Sequence, residues 1–350
     1  MSLYVSIKKT LNEFELDINL AVGKSSVGIL GTSGSGKSMT LKCIAGLETP
    51  DSGLILINGK VVFSSERNIN VPPQERNVGY LFQNYALFPN MTVLENITIG
   101  LKLPKQERIR IALEKIEAFG LGGLENVYPD RLSGGQQQRA ALARILVKKP
   151  EILMLDEPFS ALDSSLKWQL EQEAINTIDH YDATSLFVSH SRDEVYRICS
   201  NIAVVSKGKV DSFGEKKEIF ENPKTVSSAK LTGCKNISKA KKIDSKTIMC
   251  VDWGINLAID NSVLEDLNYI GIRAHFFEVA FCERTNSFEI EIRKIIEAPF
   301  TITILFNFKN NNTSIWWEIN KADWEKISKE SLPNYLSVSP GKVLKLKEEF

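Results

Sequence analysis

Several features common in other protein classes are missing from this 350-residue chain, and each absence removes a kind of function. No apolar run approaches the roughly 20 residues that a helix needs to cross a bilayer, so the chain is not expected to span a membrane alone. The opening MSLYVSIKKT has no apolar signal core, and export is not expected. Neither sign of charge is in excess, with 43 Lys and Arg against 43 Asp and Glu. That balance argues against a nucleic-acid partner, because proteins that neutralise phosphates carry a basic surplus. The five cysteines (Cys43, Cys199, Cys234, Cys250 and Cys282) are scattered, odd in number and without a CxxC pair, which points to free thiols in a reducing cytosol. Histidine occurs three times, and no internal repeat or low-complexity tract is visible. What is present is an ordinary globular composition, 43% hydrophobic and 25% charged, over a length that suits two domains.

Residues 1–228 and 229–350 read differently. In the first part, short apolar runs at 27–30, 152–155, 185–188 and 202–205 alternate with helical stretches at 105–119 and 134–147. Runs that are nearly all apolar are those of central strands buried on both faces, so a sheet flanked by helices is expected. The second part shows period-two strands: Phe288, Ile290 and Ile292, then Ile302, Ile304, Phe306 and Phe308. An Asn-rich turn at 310–312 leads into Ile315–Ile319, which reads as a hairpin. The polar junction from Glu221-Asn222-Pro223 to Ser228 marks the boundary.

Gly31-Thr32-Ser33-Gly34-Ser35-Gly36-Lys37-Ser38 fits the phosphate-binding loop pattern G-x-x-x-x-G-K-[ST], between the strand at 27–30 and a helix starting near Lys37. Glycines let such a loop curl its N–H groups around the nucleotide phosphates, and the helix N-terminus adds positive potential. Lys37 is expected at the β- and γ-phosphates and Ser38 on Mg²⁺, with Thr40 in the first helical turn completing the nucleotide-contacting set. Asp156 and Glu157 end the apolar strand 152–155, where ligand crevices lie in this kind of fold. Asp156 suits Mg²⁺, and Glu157 suits the general base for an attacking water. His190 follows the strand at 185–188. A lone histidine is more often structural, but this position also suits a γ-phosphate contact. Ser133 can cap a helix opening with Gly134, Gly135 and Gln136, whose free N–H groups suit an anion.

Together these motifs resemble the ATP-binding cassette (ABC) ATPase family over residues 1–228. Leu132-Ser133-Gly134-Gly135-Gln136 is similar to the family signature and Ser160-Ala161-Leu162-Asp163 to its D-loop; Gln83 resembles the Q-loop glutamine, which contacts Mg²⁺, and His190 the switch histidine. The resemblance implies an α/β P-loop NTPase with a helical subdomain, hydrolysing ATP with Mg²⁺ at composite sites. Gly31–Ser38 of one copy would face Ser133–Gln136 of another, with Asp163 at the interface, so a homodimer is implied. The stretch 83–96, QNYALFPNMTVLEN, is similar to the importer segment that receives a membrane permease. A cytoplasmic location on the inner face of the membrane and an external solute-binding protein are implied with it. One departure concerns the aromatic residue that stacks on adenine: only Tyr4 and Phe14 are candidates, and Phe14 alternates with Leu16 and Ile18 as a core strand residue does.

Residues 229–350 resemble the small OB- or barrel-like accessory (TOBE/MOP-like) domain of oxyanion, sugar and polyamine importers, through Gly271-Ile272-Arg273-Ala274. Arg-Ala in place of Arg-Pro is most similar to molybdate-type subunits, which makes molybdate or tungstate the expected cargo, with sulfate, ferric iron, polyamine or sugar as alternatives. Arg273 suits an oxyanion or a structural pair, and Trp316, Trp317 and Trp324 a ligand cage or a core. Two other readings remain. One is a soluble cassette in repair or translation, which a single motif set and the missing basic excess oppose. The other is an intracellular oxyanion sensor in residues 229–350 that regulates the ATPase.

Overall fold

The computed structural model describes all residues except 12–13, 161–166, 169–170, 173, 177, 179–182, 261–266, 281–283, 330–331 and 349–350. The chain divides into two compact units, residues 1–216 and 217–350. The junction therefore falls upstream of the 228/229 boundary expected from composition. Its physical reason is the helix Val226–Leu231, whose Val226 and Ala229 pack with Cys234, Leu344 and Leu346 of the second unit.

The first unit is one eleven-stranded sheet with helices. Its strands are β1 (Leu3–Thr10), β2 (Glu15–Val22), β3 (Ser26–Leu30), β4 (Ser52–Ile57), β5 (Lys60–Ser64), β6 (Ile69–Asn70), β7 (Val78–Leu81), β8 (Ile152–Asp156), β9 (Thr184–Ser189), β10 (Asn201–Ser206) and β11 (Lys209–Glu215). Their order across the sheet is β6-β5-β4-β1-β2-β11-β10-β3-β9-β8-β7. The four nearly all-apolar runs lie in β3, β8, β9 and β10, central and largely buried as their composition demands. Neighbours β10, β3, β9, β8 and β7 run parallel, with Leu30 beside Ser189, Val188 beside Asp156, and Leu155 beside Leu81. Their C-terminal ends consequently line up along one edge, where ligands bind in open α/β sheets.

Helices α1 (Lys37–Ala45), α2 (Val93–Thr98), α3 (Lys105–Ala118), α4 (Gly134–Leu146) and α5 (Arg192–Ile198) complete the unit's principal elements. Val93 and Ile97 of α2, Ala112 and Ile116 of α3, and Ala140 and Ala143 of α4 form an apolar cluster distinct from the sheet's own core, which makes these three helices a subdomain. Among the described residues no helix is long and apolar enough to cross a membrane.

The second unit contains two five-stranded sheets around a shared core of Trp253, Ile304, Phe306, Trp317 and their neighbours. Its hairpin pairs Thr301–Phe308 with Ile315–Asn320, Ile304 opposite Trp317, and the alternating residues Ile302, Ile304, Phe306 and Phe308 all face inward. Trp317 and Trp324 are buried edge to face at 5.9 Å, while Trp316 lies under the Lys235 ammonium at 4.4 Å. The tryptophans thus belong to packing and form no cage. Arg273 is also buried; it donates to Thr232 O at 2.8 Å, to Thr232 Oγ1 and to Phe220 O. Its guanidinium ties together carbonyls at the ends of the helices Lys216–Glu221 and Val226–Leu231. Because these acceptors lose their donor on truncation, Arg273→Met should destabilise the second unit by roughly 2–3 kcal/mol. Four of the five tryptophans (Trp253, Trp316, Trp317 and Trp324) lie in that unit, so thermal unfolding followed by tryptophan fluorescence reads it. An unchanged midpoint would contradict the structural role.

Candidate functional site

Gly31 follows β3 and opens a loop whose geometry only glycine satisfies. Gly34 and Gly36 have φ of 77° and 100°, the left-handed region that costs other residues about 1–2 kcal/mol each. A Cβ on Gly31 would stand 2.4 Å from Val205 O, and one on Gly36 would stand 2.5 Å from Leu16 Cδ1. The helix α1 then starts at Lys37 with Gly36 as its N-cap, no side chain capping it and no acid in its first turn. Its leading N–H groups remain oriented for an anion.

Inside this loop the Lys37 ammonium is buried and donates to Gly31 O at 2.9 Å and Thr32 O at 2.8 Å. Burial pushes its pKa below the usual lysine range, while the nearby carboxylates of Glu157 and Asp156 oppose that shift. Ser35 Oγ is buried without a hydrogen-bond partner among the described residues. A buried cation resting on backbone carbonyls and an orphaned hydroxyl are groups that a phosphate would satisfy, so the loop fits ATP. Ser38 Oγ donates to Asp156 Oδ1 at 2.8 Å, a hydroxyl and a carboxylate of the hard-oxygen type that Mg²⁺ selects. Thr40 behaves differently from the loop residues: its hydroxyl is buried and donates back to Gly36 O at 2.9 Å, so it braces the helix start from within.

The remaining candidates arrive at neighbouring strand ends. Glu157 follows β8 with φ of 45°, anchored by its N–H on Val188 O at 3.0 Å. This left-handed turn directs the carboxylate to His190, after β9, whose Nδ1 is 3.5 Å from Glu157 Oε2. His190 is 62% exposed and is therefore no core histidine. Gln83, after β7, donates from Nε2 to Ser160 Oγ at 2.9 Å, and Ser160 Oγ donates to Glu157 O at 3.0 Å. The glutamine is thereby linked to the backbone of the carboxylate pair and not to Asp156 directly.

Ser133 is the N-cap of α4, in a capping box with Gln136: Gln136 N donates to Ser133 Oγ at 3.3 Å and Ser133 N to Gln136 Oε1 at 2.9 Å. Gly134 and Gly135 form the first turn, on an element separate from the loop 31–38. Asp163, with Ala161 and Leu162, lies outside the described residues. Phe14 is half-buried against the first unit's core, and its ring edge reaches 3.6 Å from the Cβ position of Gly36. That places the aromatic against the loop as well as the core.

Three residues in this network hold partners that the sequence reading did not assign to them. Tyr80 OH donates to Asp156 Oδ2 at 2.7 Å, so both oxygens of that carboxylate are held. Tyr80 pairs with Met154, two residues before Asp156 and on the same sheet face, a relation visible only once β7 and β8 are known to be adjacent. Ser160 is the second. The third, Arg144 on α4, donates to Tyr85 O at 3.0 Å and Ala86 O at 2.7 Å.

Burial, and then the hydrogen bond to Asp156, raise the pKa of the Tyr80 phenol above the ordinary tyrosine value. A group whose pKa is raised on folding stabilises the fold below its unfolded pKa and loses that contribution as pH rises through the folded value. Tyr80 therefore supports the fold fully below about pH 10 and progressively less above it. Tyr80→Phe should flatten the alkaline limb of a stability–pH curve above about pH 10, and coincident limbs for the two proteins would contradict this.

The ABC transporter family model matches residues 15–160. A sulfate/thiosulfate import ATP-binding protein, CysA, of Thermosynechococcus vestitus is 40% identical over 67% of this chain and 70% of its own length. The CysA of Synechocystis is 42% identical, and there the match spans 63% of the relative. An Fe(3+) ions import ATP-binding protein, FbpC 2, of Haemophilus influenzae is 34% identical over 90% of this chain and 87% of its own. Among solved structures, a dimeric ATP-binding cassette in a post-hydrolysis state with ADP and Pi superposes with a TM-score of 0.52 at 28% identity, covering 62% of this chain and 99% of that one. With a relative matched along nearly its whole length and the loop, strand-end carboxylates and capped signature helix in place, this chain belongs to the ABC transporter family and is one of its ATPases.

Proposed function

We propose that the chain is the ATP-hydrolysing subunit of an importer, working as a homodimer on a separate membrane permease at the inner face of the membrane. The observation that carries this reading is the in-register run β3-β9-β8-β7, which sets the loop, Asp156, Glu157, His190 and Gln83 along one sheet edge. Lys37 and the N-terminus of α1 hold the β- and γ-phosphates. Ser38 and Asp156, with Gln83 moving toward them, hold Mg²⁺, whose charge offsets that of the phosphates. Glu157 accepts the proton of the attacking water, and His190 beside it steadies the γ-phosphate. Gly31–Ser38 of one copy meets Ser133–Gln136 of the second, since each chain supplies one of each. Asp163 belongs to the same interface. The surface 83–96 receives the permease, and an external solute-binding protein delivers the cargo.

For the cargo, the relatives above are named for sulfate and thiosulfate and for Fe(3+), and a 39% identical Haemophilus influenzae relative for spermidine and putrescine. Molybdate shares the tetrahedral oxyanion form of sulfate, so we keep a tetrahedral oxyanion as the cargo class. The second unit is read as a barrel-like accessory domain. Its Arg273 donates to the carbonyls of Thr232 and Phe220.

Glu157→Gln should lower phosphate release by ~100-fold or more, the scale of losing a general base, while retaining ATP and holding the dimer together. Unchanged hydrolysis would overturn the assignment. Lys37→Ala should instead weaken ATP binding itself by roughly tenfold or more, because a charge-assisted contact is lost. Equilibrium binding of a fluorescent ATP analogue measures this, and parental affinity would contradict the loop reading.

A further inference from the structure

Between β7 and α2 the backbone makes an unusual turn. Tyr85 and Ala86 are consecutive, are not glycine, and both have positive φ, 60° and 47°. Successive left-handed residues point their carbonyls the same way, as successive residues of a helix do, and so present a two-pronged acceptor. The Arg144 fork meets both prongs, Nη2 on Tyr85 O at 3.0 Å and Nη1 on Ala86 O at 2.7 Å. Its guanidinium also lies 5.5 Å from the centre of the Phe88 ring, which is 44% exposed.

Two further attachments fix the segment. Tyr85 is buried and its hydroxyl donates to Pro158 O at 3.4 Å, one residue beyond Glu157. Asn96, fully buried on α2, accepts from Phe88 N at 2.9 Å and donates to Phe88 O, Met91 O and Thr92 O at 3.1, 2.9 and 3.1 Å. The stretch 85–92 is thus held by α4 at one end, by α2 at the other, and by the catalytic strand end from beneath.

We infer that Arg144 is a positioning residue that holds the Tyr85–Ala86 turn in its left-handed form, making the segment 85–92 move with the signature helix and setting the Pro158 carbonyl beside Glu157. Arginine suits the task because its planar fork spans two acceptors at once, which the single ammonium of lysine does not. Coupling between sites needs a contiguous chain of packed and hydrogen-bonded groups with defined arrangements. Here that chain runs from Ser133 along α4 to Arg144, then to Tyr85 and Pro158, and outward to Phe88.

The inference rests on the ATPase reading and concerns the full chain without any permease. In Arg144→Met, amide exchange over 85–92 should quicken by roughly tenfold or more, the loss of hydrogen bonds from a charged donor. kcat for ATP hydrolysis should fall by a similar factor, with KM for ATP within about twofold, since the phosphate loop is untouched. Arg144→Lys should recover little. Adding Ala86→Gly to Arg144→Met relieves the left-handed backbone directly, and should restore much of the exchange protection and of kcat. Unaltered exchange over 85–92, or a fall in kcat that Ala86→Gly does not repair, would overturn the positioning role. Should Arg144→Met fail to fold, Arg144→Lys with and without Ala86→Gly gives the same readouts. Failure of the ATPase reading itself shows separately, as absence of ATP hydrolysis by the parent chain.

Discussion

A buried ammonium must face negative charge or hydrogen-bond acceptors, and the first unit is arranged around that requirement at Lys37. Its Nζ rests on Gly31 O and Thr32 O, with Asp156 and Glu157 supplying opposing charge from the neighbouring strand end. For those carbonyls to converge, the loop must curl more tightly than side chains allow, which the left-handed Gly34 and Gly36 and the crowded Cβ position at Gly31 make possible. For the carboxylates to arrive at the same place, β8 must lie within one strand of β3, which the order β3-β9-β8 provides. A phosphate entering the loop would replace neutral carbonyls with full negative charge around the cation.

The groups around this centre act less through direct contact than through each other. Asp156 is held from both sides, by Ser38 and by Tyr80. Glu157 is reached from Gln83 through Ser160, and its strained backbone is anchored on β9. Tyr85 touches the next residue, Pro158, and is itself held by Arg144 from the signature helix. Apart from the local bond from Ser160 to Glu157 O, these links join elements far apart in sequence, so a shift at α4 or at the 83–96 surface has a defined route to the carboxylates.

Local pattern made part of this legible. The loop 31–38 announces itself by spacing, the buried strands by unbroken apolar runs, and the hairpin at 301–320 by strict alternation, because these features depend on neighbours in sequence. The partners of Tyr80, Ser160 and Arg144 were not legible, since they depend on strand order and on where α4 docks. The same limit left two readings open for other residues. Arg273 and the tryptophans are chemically suited to an anion or a cage, and only the tertiary packing shows that backbone carbonyls and core neighbours occupy them. The junction at 216/217 escaped for a related reason: the segment 221–228 is polar, yet the helix Val226–Leu231 packs with residues more than a hundred positions further on.

The central claim is that ATP is hydrolysed where the loop of one chain meets the signature helix of another. Steady-state phosphate release by the full chain, followed against chain concentration with and without a Mg²⁺ chelator, tests it most directly. A composite site predicts a rate that rises faster than in proportion to concentration while the dimer is forming, and that disappears when Mg²⁺ is removed. A rate strictly proportional to concentration throughout, or one indifferent to Mg²⁺, would contradict it.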